Sequence, residues 1–113
     1  MNLVQPRRMI LVLEEGAIVL AFLVAKAVVD EWELENVAVA IDHRRRGLGT
    51  RMVSEFLRQA RHEKARAIFL EVRESNLAAC AFYERRGFEM TGRRQNYYAC
   101  PAEDALVYRL NLL

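Results

Sequence analysis

Cysteine and histidine are scarce: two of each in 113 residues. Cys80 and Cys100 form no Cys-x-x-Cys pair, so neither a disulfide framework nor a metal site of zinc type is expected. Long apolar runs are missing too. Ala17 to Val29 is interrupted by Lys26 and falls short of the roughly 20 residues of a membrane span, and Met9 to Leu13 is too short for a signal core. No membrane partner is expected, and the cytosol is the default compartment. Charge of one sign is also nearly balanced, at a net +2. A general nucleic-acid binder carries a clearer basic excess, so the consecutive arginines Arg44, Arg45 and Arg46 read as a local device and no nucleic-acid partner is expected.

What is present is an ordinary globular composition, 53% hydrophobic and 28% charged, without repeats, linkers or low-complexity tracts. One domain over residues 1–113 is expected. Arg8 to Leu13 and Ala17 to Val29 read as a hairpin around Glu14-Glu15-Gly16, the second strand largely buried, and Trp32 to Val39 as a third antiparallel strand. From Gly49 the period becomes helical, with Met52, Val53, Phe56, Leu57 and Ala60 on one side. Ala67 to Val72 suits a strand buried on both faces apart from Glu71. Ser75-Asn76 then caps a helix from Leu77 to Arg86 that Gly87 stops. Phe88 to Gly92 and Ala105 to Leu112 read as closing strands around a polar segment, Arg93 to Asp104. The fold class is α/β of the α+β kind, a mixed, mostly antiparallel sheet with helices on its faces.

The segment Asn36 to Thr50 joins an apolar strand, a basic turn with two glycines and a helix start without a spacer. Such a junction suits an anion, because glycine admits close backbone approach and the helix start offers unpaired N–H groups. A tight turn with a solvated basic face fits the local pattern equally well.

Arg44-x-x-Gly47-x-Gly49, between strand and helix, resembles the acetyl-coenzyme A motif of the GNAT superfamily of N-acetyltransferases. Leu70-Glu-Val-Arg-Glu-Ser-Asn, Ala81-Phe-Tyr-Glu-Arg-Arg-Gly-Phe, Arg93-Arg-Gln-Asn-Tyr-Tyr and Glu103-Asp-Ala are similar to the ribosomal-protein-alanine acetyltransferases of the RimI type. The resemblance implies acetyl-coenzyme A as co-substrate and a primary amine as acceptor, most readily a protein N-terminal amine. It assigns coenzyme contacts to Val37, Ala38 and Val39, whose backbone would pair with the pantetheine arm, and to Arg44, Arg45, Arg46, Gly47, Leu48, Gly49 and Thr50 around the pyrophosphate, with Asn76 nearby. Glu71 becomes the general base and Tyr83 the acid that protonates the departing thiolate. No metal is required.

Each residue also has a plainer reading. Glu71 suits a structural ion pair, Tyr83 an amphipathic helix flank, Asn76 a helix cap, and Val37 and Val39 core positions. Tyr97, Tyr98, Glu103 and Asp104 fall where the family borders its acceptor, and either receive a cation there or form an edge. His43 and His62 read as solvent-facing. Two departures concern the substrate. Ala40-Ile41 replaces the family's usual Asp-Pro, and the strand and two helices that commonly wall the acceptor groove find no counterpart before Met9, so an N-terminally shortened fold is expected, either open or completed by a second subunit as a homodimer. A small-amine or antibiotic acetyltransferase and a non-catalytic coenzyme-binding module are the alternatives.

Overall fold

Apolar residues at alternate positions fold the first part of the chain into a meander. In the computed structural model, which describes residues 7–44 and 47–113, β1 (Arg8–Glu15), β2 (Ile18–Val28) and β3 (Glu31–Val39) pair antiparallel. Arg45 and Arg46 lie outside the described residues. Gly16 turns the first hairpin with φ +62°, a conformation open to glycine at little cost. Val29, expected at the end of a buried strand, is instead 97% exposed in a left-handed turn with φ 58°, because the chain must reverse before Glu31. The start of β2 departs from expectation as well: Ile18 and Val19 are exposed.

A short 3-10 turn, Ile41–His43, leads to α1 (Leu48–His62), followed by β4 (Ala67–Arg73), α2 (Leu77–Glu84), β5 (Glu89–Ala99) and β6 (Ala102–Asn111). The sheet has the order β1-β2-β3-β4-β6-β5, with β3 and β4 parallel. The apolar stripe of α1, Met52, Val53, Phe56 and Ala60, is buried, and Phe56 meets Trp32 of β3 edge-on at 6.2 Å between ring centroids. Trp32 pairs in register with Ile68, so Ile68, Leu70 and Val72 point to the same side. Tyr108, opposite Leu70, donates its hydroxyl to Glu84 Oε2 of α2 at 2.7 Å. Both helices therefore share one face of the sheet. The opposite face carries Ile10 and Val12, exposed, and Phe22 and Val24, half-buried, with no element over them among the described residues.

Two irregularities shape the sheet. The register between β2 and β3 shifts so that Glu35 is the extra residue of a bulge, and the parallel ladder of β3 with β4 covers only Glu31–Glu33 against Ala67–Phe69. A bulge bends its strand, and beyond it β3 leaves β4. In the second, Arg93 to Asp104 is no loop. β5 runs on to Ala99 and β6 begins at Ala102, and three residues of β5, Gln95, Asn96 and Tyr97, bulge opposite Asp104. Cross-strand charge pairs let this polar stretch stay in the ladder: Arg93 reaches Asp104 Oδ2 and Glu74 Oε2, each at 2.7 Å.

Candidate active site

Where β3 and β4 part, a cleft of about 290 Å³ opens between Leu34–Val37 on one side and Leu70–Arg73 on the other. Asn76, Ala79 and Tyr83 from α2 and Tyr98 from β5 complete its walls. Val37, Glu71, and Asn76 with Tyr83 are thus brought together from three elements, β3, β4 and α2. The mechanism of the gap is local: β3 beyond the bulge has β2 on one side and no strand on the other, which leaves peptide groups facing the cleft.

Glu71 points away from the helices, since Leu70 and Val72 point toward them. Its side chain is 17% exposed, and Arg94 Nε lies 3.2 Å from Oε1. Tyr83 enters from the helix side, edge-on to Phe82 at 5.1 Å and to Phe88 at 5.4 Å. Burial pushes its phenol above the ordinary tyrosine range, partly offset by the charge of Arg86, so the hydroxyl keeps its proton at neutral pH. Asn76 caps α2, its Oδ1 accepting from Ala79 N at 3.1 Å, and its amide nitrogen stays available. Gly87, with φ +91°, ends the turn that follows.

Just past the C-terminal end of β3, beyond the cleft, the chain prepares a place for an anion. Gly47 is the N-cap of α1 with φ 74°, and no side chain caps the helix, so the first-turn N–H groups of Leu48, Gly49 and Thr50 sit at the positive end of the helix dipole without a side-chain partner. A Cβ on Gly49 would stand 3.7 Å from the Phe82 ring and 4.0 Å from Val39 Cγ2. That is ordinary contact. The protein's own packing does not demand glycine there, whereas a ligand passing between β3, α1 and α2 would. Arg44 Nε donates to Val39 O at 3.5 Å, a long bond on a strand-end carbonyl. Ala38 and Val39 also border a separate hollow of about 240 Å³ with Val19–Phe22.

Arg86 went unremarked in the sequence, where it looks like one more helix-end base. It donates to Thr50 Oγ1, and to Phe82 O at 2.7 Å, and its guanidinium lies 3.5 Å over the Phe82 ring. Burial and the charge of Arg85 hold its pKa below the usual arginine range, and Nε is buried with no partner among the described residues. A cation so placed at the start of α1 extends the basic turn from a distant part of the chain. His43 differs from expectation: it is half-buried, and its Nδ1 is buried without a partner among the described residues.

The residues expected to border an acceptor, Tyr97, Tyr98, Glu103 and Asp104, divide sharply. Glu103 is committed to structure, accepting from Ser75 N and pairing with Arg73 at 3.2 Å. Asp104 accepts from Asn96 N at 2.9 Å and holds Arg93. Both carboxyls are held below their usual range, Glu103 chiefly by its hydrogen bonds with Ser75 and Asp104 by those with Asn96 and Arg93. Tyr98, by contrast, lines the cleft, with the Arg73 guanidinium 4.0 Å over its ring. The described residues contain no cluster of side chains arranged to hold a metal.

The sequence profile of the acetyltransferase (GNAT) family matches residues 2–88. The [ribosomal protein bS18]-alanine N-acetyltransferase of Escherichia coli strain K12 is 38% identical over 92 residues, which are 80% of this chain and 62% of that protein. The chain thus spans less than two thirds of the curated relatives it matches in this group. The crystal structure of the E. coli ribosomal-protein-S18-alanine N-acetyltransferase superposes with a TM-score of 0.87 at 34% identity, covering 94% of this chain and 70% of that one. A streptothricin acetyltransferase assignment from Bacillus anthracis, solved in complex with acetyl coenzyme A, gives 0.85 at 26% identity over 95% of this chain and 64% of that one.

Proposed function

Because the chain belongs to the GNAT family of acetyltransferases, we propose that it transfers an acetyl group from acetyl-coenzyme A directly to a primary amine, with a protein N-terminal α-amine of ribosomal-protein-alanine type as the acceptor. The observation that carries this reading is the short β3–β4 ladder. It ends in a cleft that holds a carboxylate on one wall and a protonated phenol on the other. The residues present fit the coenzyme: Val37 and Val39 turn peptide groups away from β2 toward the cleft and suit an amide-bearing arm, whereas Ala38 between them spends its own on β2 and would offer only side-chain contact, and the start of α1 at Gly47, Leu48, Gly49 and Thr50, with Arg44 and Arg86 beside it, suits a pyrophosphate. Arg45 and Arg46 would add charge to the same turn, and Asn76 an amide at the cleft wall. Among the described residues no helix is long and apolar enough to cross a membrane, and the scarce cysteines suit the cytosol.

In the reaction Glu71 takes a proton from the acceptor ammonium, directly or through a water. The freed amine attacks the thioester carbonyl, and a backbone N–H near Val39 stabilises the oxyanion. As the C–S bond breaks, Tyr83 gives its proton to the leaving thiolate. As the tetrahedral intermediate collapses, the nitrogen sheds its second proton through water to the tyrosinate, which leaves a neutral amide, a thiol and a reloaded Tyr83, and Glu71 then releases the first proton to solvent. Removing a positioned acid or base costs about 10²–10⁴-fold in rate, so Glu71→Gln and Tyr83→Phe should each lower kcat into that range while coenzyme affinity holds.

The test is thiol release from acetyl-coenzyme A with N-terminal alanine peptides, polyamines and aminoglycosides as competing acceptors. Turnover on peptides supports the reading. Turnover on aminoglycosides alone would move the protein to the small-amine class, which the likeness to the B. anthracis structure also suits. Coenzyme binding with no turnover on any amine, unchanged by either substitution, would leave a binding module. We also propose that a second subunit completes the acceptor groove over the bare sheet face. A sedimentation coefficient that stays monomeric across micromolar concentrations would refute that arrangement.

A further inference from the structure

We propose that Arg94 is a cationic place-holder, occupying the position on Glu71 that the acceptor ammonium takes and withdrawing onto the Tyr97 ring when substrate arrives. The inference rests on the reading of Glu71 as the acceptor-side base. Four arginines, Arg73, Arg93, Arg94 and Arg109, stand on the three strands β4, β5 and β6, and three are firmly held. Arg73 meets Glu103 at 3.2 Å, Pro101 O at 3.5 Å and the Tyr98 ring at 4.0 Å. Arg93 meets two carboxylates at 2.7 Å, and Arg109 grips both oxygens of Glu31 at 2.6 and 3.0 Å.

Arg94 is different. It reaches over β6 to stand 3.2 Å from Glu71 Oε1, within ion-pair distance but without an aligned hydrogen bond, and its side chain is 59% exposed. Its one other contact among the described residues is the Tyr97 ring, whose centroid lies 5.6 Å from the guanidinium carbon. That distance is at the outer edge of a cation–π contact, so a small rotation toward the ring strengthens it as the ion pair is given up.

The geometry follows from the pleat. Arg94 pairs with Ala105, which also pairs with Arg73, and Arg73 and Glu71 are two residues apart on β4, so all three point to the bare side of the sheet. An ammonium approaching from that side meets the guanidinium first. A guanidinium and an ammonium crowded onto the same carboxylate repel each other, and an ion pair whose cation is as exposed as Arg94 is weak enough to exchange. Tyr97 supplies the waiting place: it is 52% exposed, edge-on to Tyr98 at 5.1 Å, and the Arg94 guanidinium already stands over its ring. Arg94 is therefore a positioning residue that acts through Glu71 and tunes acceptor binding.

The experiment is steady-state kinetics with an N-terminal alanine peptide, acetyl-coenzyme A saturating. Arg94→Gln should lower the acceptor KM about 2–5-fold, the scale of a weak exposed ion pair, with kcat within about twofold of the parent. Arg94→Lys should return KM toward the parent value. In an Arg94→Gln protein, added methylguanidine should inhibit competitively against the peptide, refilling the vacated position, and should do so far less in the parent. The effect of Arg94→Gln on KM should vanish in a Glu71→Gln background, the coupling that a double-mutant cycle reads. A raised KM with lowered kcat in Arg94→Gln would overturn the proposal, showing that Arg94 builds the site instead of occupying it. An unchanged KM would overturn it as well. Full kcat in Glu71→Gln would remove the base assignment separately, since the KM coupling between the two positions is measured whether or not Glu71 takes the proton.

Discussion

Tyrosine 83 shows how much a single environment decides. Burial raises the phenol's pKa, which keeps its proton on at neutral pH, and in the proposed reaction it would give that proton only to a strong base such as a thiolate formed beside it. The same shift has a signature in stability. Tyr83, Tyr98 and Tyr108 all have folded-state pKa values raised above the unfolded value, each chiefly by desolvation. Above about pH 10, the ordinary tyrosine pKa, the unfolded chain sheds protons that the folded chain retains, so stability present below that pH is lost as pH rises through the folded values. Urea midpoints at pH 9 and pH 11 should differ accordingly, and Tyr83→Phe should reduce the difference. Gly47 is the second residue whose identity is dictated. An alanine at φ 74° pays about 1–2 kcal/mol for a left-handed backbone, and Gly47→Ala should weaken coenzyme binding in calorimetry by misdirecting the α1 N–H groups.

At the scale of elements, α1 depends on one ring. Phe56 has no exposed surface and anchors the helix to Trp32, so Phe56→Ala should cost about 3–5 kcal/mol in chemical unfolding. The β5–β6 hairpin depends on charge. Asp104 and Glu103 have folded pKa values below their unfolded ones, so their contribution is present above about pH 4 and disappears as pH falls through the folded values. Amide exchange at Asn96, whose N–H is held by Asp104, should accelerate in Asp104→Ala while exchange in α1 stays slow. Much of this layer was legible beforehand. Helical spacing exposed the buried stripe of α1, and Ser75-Asn76 with Gly87 bounded α2. The β5–β6 pairing was not, because Arg93 to Asp104 looks like a polar loop until each charge is seen to have its partner across the ladder. Arg86 was equally invisible: its value lies in meeting Thr50, thirty-six positions away. Periodicity reports which side of an element is buried. It does not report which distant element arrives there.

For the molecule as a whole, the sheet is two three-stranded leaves, β1-β2-β3 and β4-β6-β5, joined by three residue pairs and by the helices on one face. A ligand that pairs with the unpaired side of β3 ties the leaves together. At a coenzyme concentration of 100 Kd the folded state should gain about 2.7 kcal/mol. The accompanying slowing of amide exchange should concentrate in β3 beyond the Glu35 bulge and in the first turn of α1, leaving β1 almost unchanged. Uniform protection across all six strands would contradict a ligand seated at the junction.

The opposite facing of Glu71 and Tyr83 has a consequence for how such a molecule changes its clientele. On the proposed chemistry the sheet would work as a partition with a slot in it: a thioester held on the side that carries the helices and an amine arriving from the bare side would meet through the opening. Whatever selects the amine can then be exchanged like a faceplate, with Ile10, Val12, Phe22, Val24 and Arg94 rewritten, while the delivery side keeps its residues and its affinity.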